Sequence, residues 1–248
     1  MKFKIGIMVF IAFCTMSFMA LKNTTMKKVS EYKVAKLENS MVIDANWDKA
    51  EWQKVEAIKL ENFMGEAPKF KPGVKVKIMY DTNNLYVIFR VKDQYVRCVT
   101  KEINGPVYED ACVEFFFSPD ENSPLKYFNL ETNCGGTALI FYNLVSRKDY
   151  KIMDPADIRQ IEIAHSMPEI VDPEITKPVI WTLEYRLPIS LLKKYAKVSQ
   201  PAPGVIWKGN CYKIGDKTSN PHYQTWSLVD QSEPDFHLPA FFGNLIFQ

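Results

Sequence analysis

Apolar and polar residues alternate through two neighbouring segments of this chain, and a period of two is typical of β-strands with one buried face. In residues 74–80 every even-numbered side chain is apolar, and Lys75 and Lys77 lie between them. Residues 85–91 carry apolar side chains at every odd-numbered position. The polar run at 81–84 (Asp-Thr-Asn-Asn) separates the two segments and favours a turn. Together they predict a β-hairpin.

Further short segments of this kind, bounded by turn residues, follow along the chain. A second hairpin is predicted at 112–118 and 126–133, with a third strand at 137–144. The other predicted elements are a short strand at 41–44, a helical turn near Trp52, a strand at 179–187, a brief helix at 189–196, and strands at 204–216, 224–228 and 244–247. Many short strands separated by turns indicate an all-β chain, a two-sheet antiparallel β-sandwich with short helical turns.

The same alternation predicts which side chains fill the core. Strand periodicity places Val113, Phe115 and Phe117 on the inner face of one strand, and Cys112, Glu114 and Phe116 on its opposite face. Leu183 and Tyr185 are expected between the sheets with Val113 and Phe115. Trp52, Trp181 and Trp226 lie on patterned segments and are also assigned to the core.

The N-terminal residues have the pattern of an export signal. Lys2 and Lys4 precede an apolar run at 5–20, which is shorter than the about 20 apolar residues of a membrane span and fits a signal-peptide core. The predicted organisation is a signal peptide at 1–20, a polar lead-in at 21–40 and one sandwich domain at 41–248. Lipidation at Cys14 and an uncleaved membrane anchor stay open as alternatives.

Charge and cysteine content limit the function classes. The net charge is +2, and loss of the lysines of the export segment leaves acidic and basic side chains in balance. Such a chain has no electrostatic footprint for nucleic acid. Export permits disulfides, but strand parity places Cys112 on the outer face and Cys134 on the inner face, so we predict that these two thiols stay free.

The order and spacing of many short motifs resemble the family 9 carbohydrate-binding module over nearly the whole mature chain. The residues that carry this resemblance are Ile43-Asp44, Asp48, Trp52, Leu85-Tyr86-Val87, Val91-Lys92-Asp93, Glu109-Asp110, Val113-Glu114-Phe115-Phe116, Trp181, Glu184, Leu187-Pro188-Ile189, Trp226, Pro239 and Phe242-Gly243-Asn244-Leu245. The stretches 221–226 and 234–237 further resemble a bacterial single-domain branch, whose members are exported and often associated with polysaccharide use.

The resemblance implies a sandwich that holds the end of a glucan- or xylan-like chain between two aromatic rings. By motif register these rings are Tyr108 and Phe236, where family members often carry tryptophan. Glu114 matches a carboxylate that accepts sugar hydroxyls. Asn129 stands where the family can carry an arginine, and Glu131 shares its face. His237, beside Phe236, is a further hydroxyl partner.

This set of residue types suits a sugar without reference to any family, because sugars present apolar C–H faces to aromatic rings and hydroxyls to fixed polar groups. Two other function classes stay open: a structural or interaction domain that has lost its ligand, and a glycoside hydrolase using a carboxylate pair such as Glu114 and Glu131. The second is disfavoured because neighbouring strands place those carboxylates side by side.

The partners that follow are an oligo- or polysaccharide and, by resemblance, polysaccharide-degrading enzymes, with membrane contact only through the N-terminus. No catalytic residue and no required cofactor is predicted, although the resemblance implies structural calcium in some members. The sequence shows no spacing of cysteine or histidine that is typical of a zinc site.

Overall fold

The computed structural model describes residues 29–248, and the predicted signal peptide with Cys14 lies outside this range. In the described residues sixteen strands alternate with three one-turn helices. The strands are β1 (Glu31–Lys36), β2 (Ile58–Leu60), β3 (Asn62–Phe63), β4 (Gly73–Tyr80), β5 (Asn84–Asp93), β6 (Val96–Cys98), β7 (Cys112–Ser118), β8 (Tyr127–Asn133), β9 (Ala138–Val145), β10 (Asp149–Ile152), β11 (Glu162–His165), β12 (Val171–Ile175), β13 (Val179–Pro188), β14 (Ile206–Ile214), β15 (Tyr223–Thr225) and β16 (Gly243–Phe247). The helices are α1 (Ala50–Gln53), α2 (Pro155–Ile158) and α3 (Ile189–Leu192), with 3₁₀ turns at Val107–Glu109 and Pro239–Phe241.

Fourteen of these strands form one large curled sheet whose two halves face each other, and β6 pairs with β12 in a separate two-stranded sheet. One half runs β10-β9-β8-β7-β14-β16 and the other runs β4-β5-β13-β11, with β1 between them. β1 joins the halves because Glu31 pairs with Asn244 of β16, whereas Ala35 pairs with Met79 of β4. The sandwich prediction is confirmed, with one refinement: both pairings of β1 are parallel, although the other ladders are antiparallel.

The main core lies between the two halves, as the alternation predicted. Val113, Phe115, Leu183 and Tyr185 are all buried there. Trp52 and Trp181 are fully buried, whereas Trp226 is only partly buried against the core. Burying large apolar side chains on inner strand faces supplies most of the free energy of folding of such a domain. No helix within residues 29–248 is long and apolar enough to cross a membrane.

Two sequence-based boundaries were wrong. The lead-in predicted at 21–40 contains β1, and its side chains Tyr32 and Val34 are buried in the core. The ordered sandwich therefore begins by Glu31 rather than at 41. The segment 41–44 is not a strand, because the backbone N–H groups of Asp44 and Ala45 donate to the carboxylate of Glu184 instead of to a neighbouring strand.

Glu184 on β13 forms a buried polar cluster that attaches this segment and α1 to the sheet. Its Oε2 accepts hydrogen bonds from Asp44 N at 2.9 Å and Ala45 N at 2.8 Å. Its Oε1 accepts from the Trp52 indole at 2.8 Å and lies 2.6 Å from Lys49 Nζ. The Glu184 side chain is fully buried. Four hydrogen-bond donors therefore share the Glu184 carboxylate as their acceptor.

The register of β7 and β8 explains the state of the cysteines. Cys112 pairs with Asn133 rather than with Cys134. Cys112 packs in the outer cluster with Phe116, whereas Cys134 lies in the main core, and neither is in a disulfide. The prediction that the two side chains lie on opposite faces of the sheet is confirmed, and the free state of both thiols stays a prediction.

A peptide map of the unreduced, denatured protein should therefore recover Cys112 as an alkylated thiol. Its side chain is separated from Cys134 by the sheet itself, so no bridge forms without a register shift. A Cys112–Cys134 linked peptide would contradict the β7–β8 register. The reduced and alkylated protein is the control, since it shows full recovery of both peptides.

Candidate functional site

A pocket of about 480 Å³ opens on the outer face of β7, β8 and β9, away from the main core. The loop at 234–237 and the turn between β9 and β10 border it. All six side chains predicted from the sequence line this pocket: Tyr108, Glu114, Asn129, Glu131, Phe236 and His237. Tyr108 and His237 are 129 positions apart in the sequence, so folding brings them together.

The floor of the pocket is built by directly opposite residues of β7 and β8. Glu114 pairs with Glu131, and the next outward-facing pair is Phe116 with Asn129. Asn129 Nδ2 donates to Glu131 Oε1 at 2.8 Å, and Asn129 Oδ1 accepts from Asn143 Nδ2 at 2.6 Å. Directly opposite side chains share one face of a sheet. Strand pairing alone therefore places two carboxyl groups and two amides side by side.

The two carboxyl groups of the floor hold their protons more tightly than free acids. Burial raises the pKa of Glu131 to about 7. Burial, together with the charge of Glu131, raises the pKa of Glu114 well above its ordinary value. Two like charges in a buried site cannot both ionise cheaply, so near neutral pH the pair retains at least one proton. The floor can therefore both donate and accept hydrogen bonds.

The two predicted aromatic rings differ in how much surface they offer. Tyr108 is 40% exposed, whereas Phe236 is only 6% exposed. Phe236 stacks on Tyr212 with ring centroids 4.1 Å apart, so Tyr212 covers one face of the Phe236 ring. Of the two rings predicted to contact a sugar, Tyr108 is open to solvent, whereas Phe236 presents only a small part of its ring.

His237 is held in the neutral form against the pocket wall. Burial, and then the charge of Arg147, lowers the pKa of His237 to about 4. The hydroxyl of Tyr127 lies 2.8 Å from His237 Nδ1, and the imidazole packs against Phe116 with centroids 5.1 Å apart. A neutral imidazole fixed in this way can exchange a hydrogen bond with a hydroxyl without bringing a charge.

Sequence reasoning missed an arginine in the pocket. Arg147 comes from the turn between β9 and β10 and adopts a left-handed backbone conformation, with φ of 58°. Its Nη2 and Nε donate to Asp235 Oδ1 at 2.7 Å and 3.2 Å. The turn between β9 and β10 therefore places a guanidinium in the pocket that Asn129 also lines. The sequence held no signal for this position, because turn geometry directs the side chain.

Sequence analysis also missed three further aromatic side chains that line the pocket, Phe141, Tyr150 and Tyr223. Phe141 on β9 and Tyr150 on β10 stack at 5.1 Å between centroids, and Tyr150 is 47% exposed. On the other side, the Tyr223 hydroxyl donates to Asp216 Oδ1 at 2.5 Å. Strand parity could have found Phe141, which lies directly opposite Asn129.

The described residues do not fit a calcium site built on side-chain carboxylates. Within residues 29–248 no three His, Cys, Asp or Glu side chains gather as a metal-ligand set.

A buried lysine, Lys213, joins an acid and a histidine away from the pocket. The buried carboxylate of Asp93 lies 3.4 Å from Lys213 Nζ, which also contacts His222 Nε2 at 2.9 Å. Burial and then Lys213 lower the pKa of His222 to about 3, so the imidazole is neutral and accepts from the ammonium.

Comparison with known proteins agrees with this geometry. The sequence profile of carbohydrate-binding family 9 matches residues 13–247. The chain belongs to carbohydrate-binding family 9. No curated protein matches this family 9 chain.

Solved structures share the fold of this family 9 protein. A candidate carbohydrate-binding protein from Bacteroides uniformis ATCC 8492 is 29% identical, with a TM-score of 0.79 over 89% of this chain and 100% of that chain. A family 9 module from Caldicellulosiruptor kristjanssonii in complex with glucose is 15% identical, with a TM-score of 0.60 over 88% and 96% of the two chains. The same kind of module in complex with cellotriose is 16% identical, with a TM-score of 0.60 over 88% and 94%. At such identities these two modules establish the fold alone.

Proposed function

We propose that this protein is an exported, non-catalytic carbohydrate-binding protein that holds the end of a sugar chain in the pocket above β7 and β8. The observation that carries the proposal is the convergence of Tyr108, Glu114, Asn129, Glu131, Phe236 and His237 on one pocket. The glucose and cellotriose complexes of family 9 modules with this fold support a saccharide as the ligand.

In this proposal each wall of the pocket has a distinct role. The exposed ring of Tyr108 packs on a C–H face of the sugar, and Phe236 contributes a smaller apolar contact. Glu114, Asn129 and Glu131 exchange hydrogen bonds with hydroxyls from below. The Arg147–Asp235 pair lines the pocket, and the guanidinium N–H groups that do not bind Asp235 are proposed to donate to sugar hydroxyls. Polar groups fixed by their neighbours bind with little loss of side-chain entropy.

Export and partners complete the proposal. The basic residues and apolar run at 1–20 support export. The N-terminal segment is then the sole route to a membrane, and polysaccharide-degrading enzymes are the expected protein partners. The family resemblance also allows a structural calcium ion, for which residues 29–248 hold no set of three His, Cys, Asp or Glu side chains.

The carboxylate pair does not suit glycoside hydrolysis. An acid and its partner act from opposite sides of the scissile bond, whereas Glu114 and Glu131 are directly opposite on neighbouring strands of one floor. The pair can therefore approach a sugar only from one side.

Calorimetric titration of the mature protein with cello-, xylo- and manno-oligosaccharides tests the proposal. At least one series should bind, with and without calcium, and a reducing-sugar assay on the binding series should show no product. Absence of binding to every series would favour an interaction domain without a sugar ligand. Release of reducing ends would favour the hydrolase.

A further inference from the structure

The two carboxyl groups of the floor lack a cationic partner. Within residues 29–248 the Glu114 carboxyl accepts no hydrogen bond and forms no ion pair, although the residue is only 2% exposed. Glu131 accepts a hydrogen bond from the neutral amide of Asn129. An unpaired buried acid is costly to the fold. The floor therefore offers two acidic groups, and no cation of the described residues binds them directly.

The remainder of the pocket is also acidic. Asp216 and Asp235 line it, and among the described lining residues Arg147 is the one permanent cation. Arg147 Nη2 lies 2.7 Å from Asp235 Oδ1, so its charge is already compensated. His237 adds no charge, since its pKa is lowered to about 4 by burial. Four carboxyl groups in the lining therefore face a single guanidinium.

Other ionisable groups near the pair act on it less strongly. Lys213 has its side chain on the inner face of β14, where it pairs with Asp93, and with Arg147 it lowers the pKa of Glu114 less than burial and Glu131 raise it. The neighbouring Cys112 thiol is buried, and burial raises its pKa well above the ordinary value. Burial likewise raises the pKa values of Tyr127 and Tyr212, and the hydrogen bond to Asp216, followed by burial, raises that of Tyr223, so all three phenols stay neutral.

Aromatic rings add to the attraction for a cation. The half-exposed rings of Tyr108 and Tyr150 border the same pocket as the acids. The face of an aromatic ring carries partial negative charge and attracts ammonium groups at short range.

The geometry points to an amino sugar: a saccharide unit with a protonated amine, such as glucosamine in a chain, whose ammonium group lies between Glu114 and Glu131. This inference rests on the proposed function, because it names the sugar class for the same pocket. A neutral sugar offers the pair no cation, so the buried carboxyl groups stay largely protonated and gain no ion pair. A uronic acid would bring a like charge beside these carboxyl groups, which is unfavourable.

Proton exchange gives this mode of binding a distinct signature. The empty pocket holds protons on the pair, because burial raises the pKa of Glu131 to about 7 and that of Glu114 further above its ordinary range. An ammonium group between the carboxylates favours their ionised forms, so binding releases a proton to the buffer. Affinity for the amino sugar should rise with pH until the amine itself loses its proton. A neutral sugar gives neither effect.

The test compares three trisaccharides by calorimetry at about pH 5.5, well below the pKa of about 7.7–8.0 of a free α-amino group, so that the less basic sugar amines are also protonated. They are the glucosamine trimer, its N-acetylated form and cellotriose. We expect the glucosamine trimer to bind at least about tenfold more tightly than the other two. Titrations in two buffers of different ionisation enthalpy should show release of about one proton for this ligand alone.

Glu114→Gln and Glu131→Gln should each reduce the preference for the glucosamine trimer and abolish proton release. Glu162→Gln, at an exposed carboxylate on β11, is the matched control and should retain both. The buffer comparison on the unaltered protein keeps the test decisive where a variant fails to fold. Equal binding of cellotriose, or no proton release, overturns the amino-sugar inference and leaves the proposed function intact. No binding of any trisaccharide overturns both.

Discussion

Replacing Glu184 with alanine is expected to lower the free energy of unfolding by about 3–5 kcal/mol, the cost of breaking a buried ion pair from one side. The substitution leaves Lys49, the Trp52 indole and two backbone N–H groups without their shared acceptor. Glu184→Gln should recover only part of the loss, because an amide accepts hydrogen bonds but does not balance the ammonium charge. Urea unfolding followed by tryptophan fluorescence measures the effect.

The control for this prediction lies on the same pair of strands. Glu162 on β11 pairs with Arg186 on β13 at the surface, where both side chains are more than a third exposed. Exposed ion pairs contribute about 0–1 kcal/mol, so Glu162→Ala should change stability little. A loss below about 1 kcal/mol for Glu184→Ala would mean that the cluster does not hold α1 and residues 44–45 to the sheet.

The second large effect concerns binding. Tyr108→Ala should weaken oligosaccharide binding by about 1–3 kcal/mol, or roughly 5- to 150-fold in Kd, on the scale of burying one ring against a partner. Because Tyr108 is 40% exposed in the free protein, its removal should leave the unfolding free energy nearly unchanged. Calorimetric titration of the variant with the best-binding oligosaccharide measures the loss.

Two further variants sharpen the interpretation. Leu125→Ala removes an exposed apolar side chain outside the pocket and should bind like the unaltered protein. Phe236→Ala should lower stability as well as affinity, because the ring is buried against Tyr212. Unchanged binding by Tyr108→Ala would show that the ligand does not occupy this pocket in the proposed orientation.

Local periodicity was sufficient to predict much of the fold and the floor of the site. Alternation along β7 assigns Glu114 to the face opposite Phe115, and the short turn after β7 then fixes Glu131 beside it. Both inferences need only neighbouring strands. The convergence of Tyr108 and Phe236 on the same pocket required the family resemblance, because it depends on contacts between distant segments.

The features that were missed depend on partners far along the chain. Residues 41–44 are predicted as a short strand, yet the backbone N–H of Asp44 donates to the carboxylate of Glu184, 140 positions away. The family resemblance predicts an exposed ring at Phe236, but Tyr212 stacks on this ring and covers one face. Arg147 reaches the pocket because its backbone adopts a left-handed conformation, and the residue types in this turn do not predict that conformation. Long-range contacts override local preference in each case.

The place of β1 between the two sheet halves has a consequence for how the chain acquires its structure. Its partner β16 lies at the far end of the chain: Asn244 and Glu31, which pair across these strands, are 213 positions apart. Closing such a distant pair is slow, and it cannot occur before both ends are present. During synthesis the sandwich therefore cannot close until β16 is available to pair with β1.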